Sequence, residues 1–267
     1  MAVQSGTPAI VAMVVVAAIT FGSAVWITRP GTVPPGSASG VPPHVHALPA
    51  TYDVTDPAQV LALPPATAPT LTVAIRQAAA GSWDLELGTT RFRYVTDDRT
   101  ELVPGEGHAH LFVDGNYISQ FNTGHVHLEP LPPGVHTLDV GLFAVDHRAY
   151  AAGGKLVMQR IVVVAPEPGS ALEASRPNRK FAVAFAGGRI TGTDTLRVSR
   201  NDALELRWSS DVPASFRLEG YEAAFSVGPQ MPVTVFVHAT QVGRFAIHGH
   251  AGEGPETGPV MYLEVFP

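Results

Sequence analysis

The amino-acid sequence predicts an all-β protein in which two β-sandwich domains follow one N-terminal transmembrane helix. Gly and Pro account for 26 and 24 of the 267 residues, which favours many turns between short strands over long helices. Short apolar segments recur along the chain, and residues 204–208 alternate apolar and charged side chains as a half-buried strand does. An uncharged apolar run near the N-terminus predicts the helix.

The predicted membrane anchor covers residues 9–28, which contain no charged side chain. As a helix this run spans about 30 Å, the thickness of a hydrocarbon core, and Trp26 lies near one end, at the level of an aromatic belt. A cleaved signal peptide is the alternative, with cleavage after Ala24 or within residues 37–39. We favour a retained signal-anchor, because the run is longer than a usual signal-peptide core and no basic residue precedes it.

The sequence therefore predicts a single-pass protein of the cell membrane, with its soluble part on the periplasmic or extracellular side. The composition after residues 1–29 favours this orientation, because a stalk and β domains are typical of exported proteins. Arg29 on the C-terminal side of the anchor counts against it, since basic residues favour the cytoplasmic side.

The rest of the chain divides into two linkers and two domains. Residues 30–68 and 167–178 are rich in Pro, Gly, Ala and Ser and are predicted to be linkers. Residues 69–166 form the first predicted sandwich, with strands at 71–75, 83–87, 92–95, 108–113, 117–121, 135–145 and 156–164. Residues 179–267 form the second, with strands at 181–185, 196–199, 204–209, 215–218, 233–237, 245–248 and 260–265. Asp114-Gly115 predicts a tight hairpin.

Several classes of function are excluded or disfavoured by residues that the chain lacks. It contains no cysteine, which excludes disulfides, iron–sulfur clusters, thiolate zinc sites and a cysteine nucleophile. The net charge is -6 and there is no Lys/Arg run, so no nucleic-acid partner is expected. The sequence has no His-Glu-x-x-His, Gly-x-Ser-x-Gly or Walker A motif. We therefore predict no catalytic residues and no enzyme activity.

Histidine is the residue type that indicates a function. Eight of the 11 histidines form His-x-His pairs, and residues two apart in a strand face the same side, where two imidazoles can converge on one ion. Imidazole suits copper, zinc or nickel, and we rank copper first and zinc second. The pair at positions 44 and 46 lies in the first linker and is at most a weak chelator. The predicted metal ligands are His108, His110, His125, His127, His248 and His250.

The first two ligand pairs flank one predicted hairpin, so four imidazoles are expected to surround one ion at the end of that hairpin. The pair at 248 and 250 would form a second site. The lone histidines 136, 147 and 238 are predicted to be structural, with Asp146-His147 in a surface turn or touching a ligand. Met158, Met231 and Met261 are predicted to fill the core.

The second domain resembles the cupredoxin-like domains of exported bacterial proteins. The resemblance rests on residues 197–202 (RVSRND), 210–213 (SDVP), 220–222 (GYE), 243–248 (GRFAIH) and 262–265 (YLEV). It implies metal ligands near His248 and His250. A blue-copper site is excluded because the chain lacks cysteine. Residues 216–219 read FRLE where related domains carry histidines, so the site is degenerate or rebuilt.

The first domain looks like the immunoglobulin-like domain that accompanies such cupredoxin-like domains, on residues 107–115 (GHAHLFVDG) and 131–138 (LPPGVHTL). Together these features predict a membrane-anchored extracytoplasmic protein that holds, buffers or transfers copper through histidine. The alternative is a structural or interaction module with a degenerate cupredoxin-like site.

Overall fold

The computed structural model describes residues 53–96, 99–167, 177–221, 223–229, 231–252 and 258–267. Within these residues the chain forms twenty β-strands, one 3-10 turn at Ala79–Gly81 and no α-helix. The strands before residue 168 are β1 (Val60–Leu63), β2 (Thr70–Gln77), β3 (Trp83–Thr90), β4 (Arg93–Tyr94), β5 (Glu106–Val113), β6 (Asn116–Phe121), β7 (His125–Leu128), β8 (Gly134–Phe143), β9 (Ala149–Ala152), β10 (Lys155–Leu156) and β11 (Met158–Ala165).

The strands after residue 176 are β12 (Arg179–Ala186), β13 (Arg189–Thr191), β14 (Thr195–Ser199), β15 (Ala203–Ser210), β16 (Ala214–Leu218), β17 (Ala223–Val227), β18 (Val233–His238), β19 (Gly243–Ala251) and β20 (Pro259–Phe266). Each predicted strand overlaps one of the twenty. The all-β prediction is confirmed for the described residues. The strands that the sequence did not predict are short, and their few side chains produce little periodicity.

One long sheet runs through both predicted domains. Its order is β1-β9-β8-β11-β18-β15-β12-β13, with β5 beside β8 and β6 beside β5. The two halves meet where β11 pairs in parallel with β18, placing Arg160 to Val163 beside Val233 to Phe236. Backbone hydrogen bonds therefore cross the predicted domain boundary.

Two smaller sheets pack against the long sheet. Each forms a β-sandwich with the part of the long sheet that it covers, and each sandwich has its own core. The sheet β2-β3-β7 packs on β5, β8 and β11 around Trp83 and Leu111, and the sheet β14-β20-β19-β16-β17 packs on β12, β15 and β18 around Trp208. Phe236 of β18 belongs to the first core, where its ring meets Trp83 edge to face at 5.5 Å. Val162 of β11 belongs to the second core. Each half thus buries side chains from the other.

The predicted hairpin at Asp114-Gly115 is present and joins β5 to β6. Asp114 and Gly115 have φ values of 50° and 78°, and a two-residue turn with positive φ at both positions matches the right-handed twist of its strands. The Asp114 carboxylate accepts a hydrogen bond from the Thr137 backbone N–H at 2.9 Å. This bond ties the turn to β8.

The long sheet includes residues that precede the predicted domain start at residue 69. β1 lies in the segment predicted to be a linker, but it pairs in parallel with β9 and buries Val60, while Ala68 is also buried. The backbone of these residues completes a sheet edge, which their Pro-rich composition did not suggest. β11 ends at Ala165 and β12 begins at Arg179, close to the predicted second linker. Independent folding of the two units stays a prediction.

The predicted anchor, residues 9–28, lies outside the described residues, as do the histidines at 44 and 46. In the part of the chain that the structure does describe, no helix has the length and apolar character needed to cross a bilayer.

Candidate metal centre

Strand β5 carries the first histidine pair on a buried face. Its alternation places Ala109, Leu111 and Val113 in the first core, so His108 and His110 project from the opposite face of the sheet. His108 is 5% exposed and His110 0%. Their rings stack at 4.9 Å between centroids with an interplanar angle of 12°. The prediction that this His-x-His pair shares one face is confirmed.

A third histidine reaches this pair from the turn after β8. β8 runs antiparallel to β5 with Phe143 opposite His108, so the residues that follow Phe143 lie beside the start of β5. The His147 N–H donates to the Ala144 carbonyl at 2.9 Å and His147 has φ of 66°, which closes a tight turn. The His147 ring lies 4.9 Å from His108 and 5.5 Å from His110, centroid to centroid.

His108, His110 and His147 therefore form a group that we call the histidine triad. Each histidine offers one ring nitrogen, and these three nitrogens all lie within 4.8 Å of one another. Around a metal with bonds of about 2.0 Å, such nitrogens are about 3.3–3.5 Å apart. Binding one ion would therefore shorten these nitrogen–nitrogen distances by up to about 1.4 Å. Among the described residues, this is the group of three potential metal ligands whose ligand atoms lie within 4.8 Å of one another.

Aromatic and apolar side chains pack around His110 of the triad and form what we call its aromatic wall. Phe143 stacks on His110 at 4.0 Å with an angle of 13°, and Tyr117 meets the same ring at 5.3 Å. Phe143 also packs with Met158 in a small apolar cluster. Gly141 lies opposite His110 on β8, and a Cβ there would come within 2.8 Å of the Met158 Cγ. Glycine at this position leaves the space that the methionine fills.

The carboxylates on the elements that carry the triad are all paired with arginines. Glu106 and Asp139 are buried on β5 and β8, whereas Asp146 lies in the turn beside His147. Glu106 pairs with Arg93 and Arg99. Asp139 Oδ1 lies 2.7 Å from Arg160 Nε, and Asp146 Oδ2 lies 2.8 Å from Arg148 Nε. The triad is thus three imidazoles whose neighbouring negative charges are neutralised.

His125 and His127 do not join the triad. They lie on β7, which pairs with β3 in the separate three-stranded sheet, because the chain crosses to the other sheet after β6. The expected arrangement of four imidazoles around one ion is therefore not formed. His127 Nδ1 instead lies 2.6 Å from Asp84 Oδ1. This hydrogen bond, assisted by the Arg76 guanidinium, holds the pKa of the Asp84 carboxyl below its ordinary value despite burial.

His248 and His250 lie on β19 in the second domain. His248 Nε2 is 2.9 Å from Glu219 Oε1, and His250 pairs with Ser215 on β16. Among the described residues, no group of three potential ligands with ligand atoms within 4.8 Å of one another includes this pair.

His136 forms hydrogen bonds with Asp114 and with the Pro132 carbonyl, each at 2.7 Å, as a structural histidine does.

His147 is the ligand candidate that sequence reasoning missed. It is a lone histidine, and its link to His108 depends on the pairing of β5 with β8 across a long stretch of chain. The neighbouring Asp146 did predict a surface turn, and the structure contains one. A usable signal was the position of Asp146-His147 directly after a long predicted strand.

No protein-family model matches the chain, and no curated protein matches it. Solved structures similar to it include a multicopper oxidase at 12% identity, covering 77% of this chain and 89% of that chain, with a TM-score of 0.28. The blue copper oxidase from Nitrosomonas europaea aligns at 10% identity over 77% and 86%, also with a TM-score of 0.28. A heme-copper terminal oxidase aligns at 10% identity over 33% of this chain and 65% of that chain, with a TM-score of 0.28. At these TM-scores the similarities support no conclusion about this chain.

Proposed function

We propose that this protein is a membrane-anchored, extracytoplasmic copper-binding protein that holds one ion at the histidine triad of His108, His110 and His147. The observation that carries the proposal is the convergence of these three imidazoles, from two separate elements, to within 4.8 Å of one another. Neutral imidazole is a good ligand for copper, and the aromatic wall fixes the His110 ring before any ion arrives. In this proposal the immunoglobulin-like and cupredoxin-like domains of the sequence prediction form the scaffold.

Holding or transferring copper fits the triad better than catalysis. His108 and His110 are almost fully buried, so an ion on them lacks the open side that a bulky substrate needs. His147 is half-buried on a turn at the surface, and it is the ligand that can move with least disturbance of the sheet. An ion would enter and leave past His147. No chemical step is proposed at the site.

A competition titration of the full chain in detergent against a copper chelator tests the proposal. The wild type should bind one ion much more tightly than millimolar. Replacing His108 and His110 with Ala should weaken binding at least about tenfold, or about 1.4 kcal/mol. His147→Ala should act in the same direction and disturb the fold less, because its side chain lies on a turn.

The matched control is the double variant His125→Ala/His127→Ala, which removes the pair on β7. Under the proposal it leaves copper affinity unchanged, whereas a loss there would move the site to β7. If the wild type binds copper no more tightly than about millimolar, near -4 kcal/mol, the structural or interaction role is the better account. Membrane fractionation with N-terminal sequencing tests the anchor, and a soluble product beginning near residue 25 or 40 would contradict it.

A further inference from the structure

We infer that the histidine triad selects a soft monovalent cation, such as Cu(I) or Ag(I), over divalent copper or zinc. This inference rests on the proposed metal site and adds the charge class of the ion that it takes. Three features of the surroundings of the triad support it: the charge, the apolar packing around His110 and the softness of the neighbouring side chains.

The charge around the triad favours a monocation. Three neutral imidazoles contribute no negative charge, so the bound ion keeps its full charge in a buried place. The cost of transferring an ion from water to a low-dielectric interior rises with the square of its charge, so a dication costs about four times as much as a monocation. The carboxylates that could offset this cost, Glu106, Asp139 and Asp146, are held by arginines.

Three imidazoles also satisfy a monovalent ion better than a divalent one. Zinc held by three histidines completes a tetrahedron with water. His110 is fully buried, and its ring lies 4.0 Å from the Phe143 ring and 5.3 Å from the Tyr117 ring, so its surroundings are apolar and offer little to hold such a water. Cu(I) and Ag(I) are stable with two or three ligands and need no water.

The neighbouring thioether points to the same class of ion. Met158 lies over Gly141, the residue opposite His110, in the apolar cluster with Phe143. A thioether is a soft donor that suits Cu(I) and contributes little to zinc. Met158 therefore adds to the preference for a soft ion, whether it touches the ion or only makes its surroundings polarisable.

The experiment compares ions on the full chain in detergent at pH 7.5, using Ag(I) as a redox-inert monovalent probe, Cu(I) under a reductant and Zn(II) as the divalent probe. We expect dissociation constants for Ag(I) and Cu(I) at least about 100-fold below that for Zn(II). Zn(II) binding as tightly as Ag(I), while copper still binds at the triad, overturns the inference and leaves the proposed function standing. No binding of copper in either oxidation state overturns both.

A charge variant tests the cause of the selectivity. Arg148→Gln removes the guanidinium that neutralises the Asp146 carboxylate, the residue before His147, and both side chains are partly exposed, so the fold should survive. The released negative charge should strengthen Zn(II) binding several-fold more than Ag(I) binding. Arg197→Gln is the control for loss of an arginine far from the triad, since it removes one of the two arginines, Arg197 and Arg244, that pair with Glu264. An unchanged Zn(II)/Ag(I) ratio in Arg148→Gln contradicts the charge argument.

Discussion

Replacing Phe236 with Ala should destabilise the first core even though this residue belongs to a strand of the second predicted domain. The side chain is fully buried, and its ring meets Trp83 edge to face at 5.5 Å. A Phe→Ala change in a core costs about 3–5 kcal/mol, of which the aromatic contact supplies about 0.5–1.5 kcal/mol. With a urea dependence of about 2–3 kcal/mol per molar, the unfolding midpoint should fall by about 1–2.5 M.

The assay is urea unfolding followed by tryptophan fluorescence in a background of Trp26→Phe/Trp208→Phe, which leaves Trp83 as the reporter. Phe185→Ala is the matched control, because Phe185 is equally buried but packs on Phe216 in the second core. The control shows the cost of the same cavity away from the junction. An unchanged midpoint at Trp83 in Phe236→Ala would refute the packing of β18 into the first core.

Three further predictions follow from single contacts. Gly107→Ala should lower the free energy of unfolding by more than about 2 kcal/mol, measured in urea, because Gly107 has φ of 155° and an added Cβ would overlap the Phe143 carbonyl oxygen. Burial lowers the pKa of His238 below 6.5, so its contribution to stability should be present above about pH 6.5 and lost at lower pH. His238→Gln should therefore reduce the dependence of the free energy of unfolding on pH between pH 7.5 and 5.5. An equal pH dependence in the variant and the wild type would contradict this. His127→Ala should raise the pKa of the Asp84 carboxyl in an NMR titration, since their hydrogen bond is the main cause of its lowering; an unmoved pKa would count against that bond.

The strands were predictable because their signals are local. Residues 204–208 alternate, and Asp114-Gly115 specifies its own turn through two positive φ values. The pairing of β11 with β18 has no such local signal, because it joins strands about seventy residues apart whose apolar composition suits many partners. The sequence therefore predicted the elements of the long sheet but not its continuity across the two predicted domains.

The candidate site was predictable in part for the same reason. His108 and His110 share a face because any strand alternates, so two thirds of the triad followed from spacing alone. His147 depends on which strand pairs with β5, and His127 was misplaced because the chain changes sheets between β6 and β7. The packing of the whole core decides which sheet a strand joins, so a short segment of sequence cannot predict it.

One copper ion is proposed to bind to His108, His110 and His147 together. X-ray absorption spectroscopy of the copper-loaded full chain, measured beside the His147→Ala variant at saturating copper, counts the imidazoles on the ion. We expect three imidazoles bound to copper in the wild type and two in the variant. The same number of imidazoles in both proteins would place the ion elsewhere.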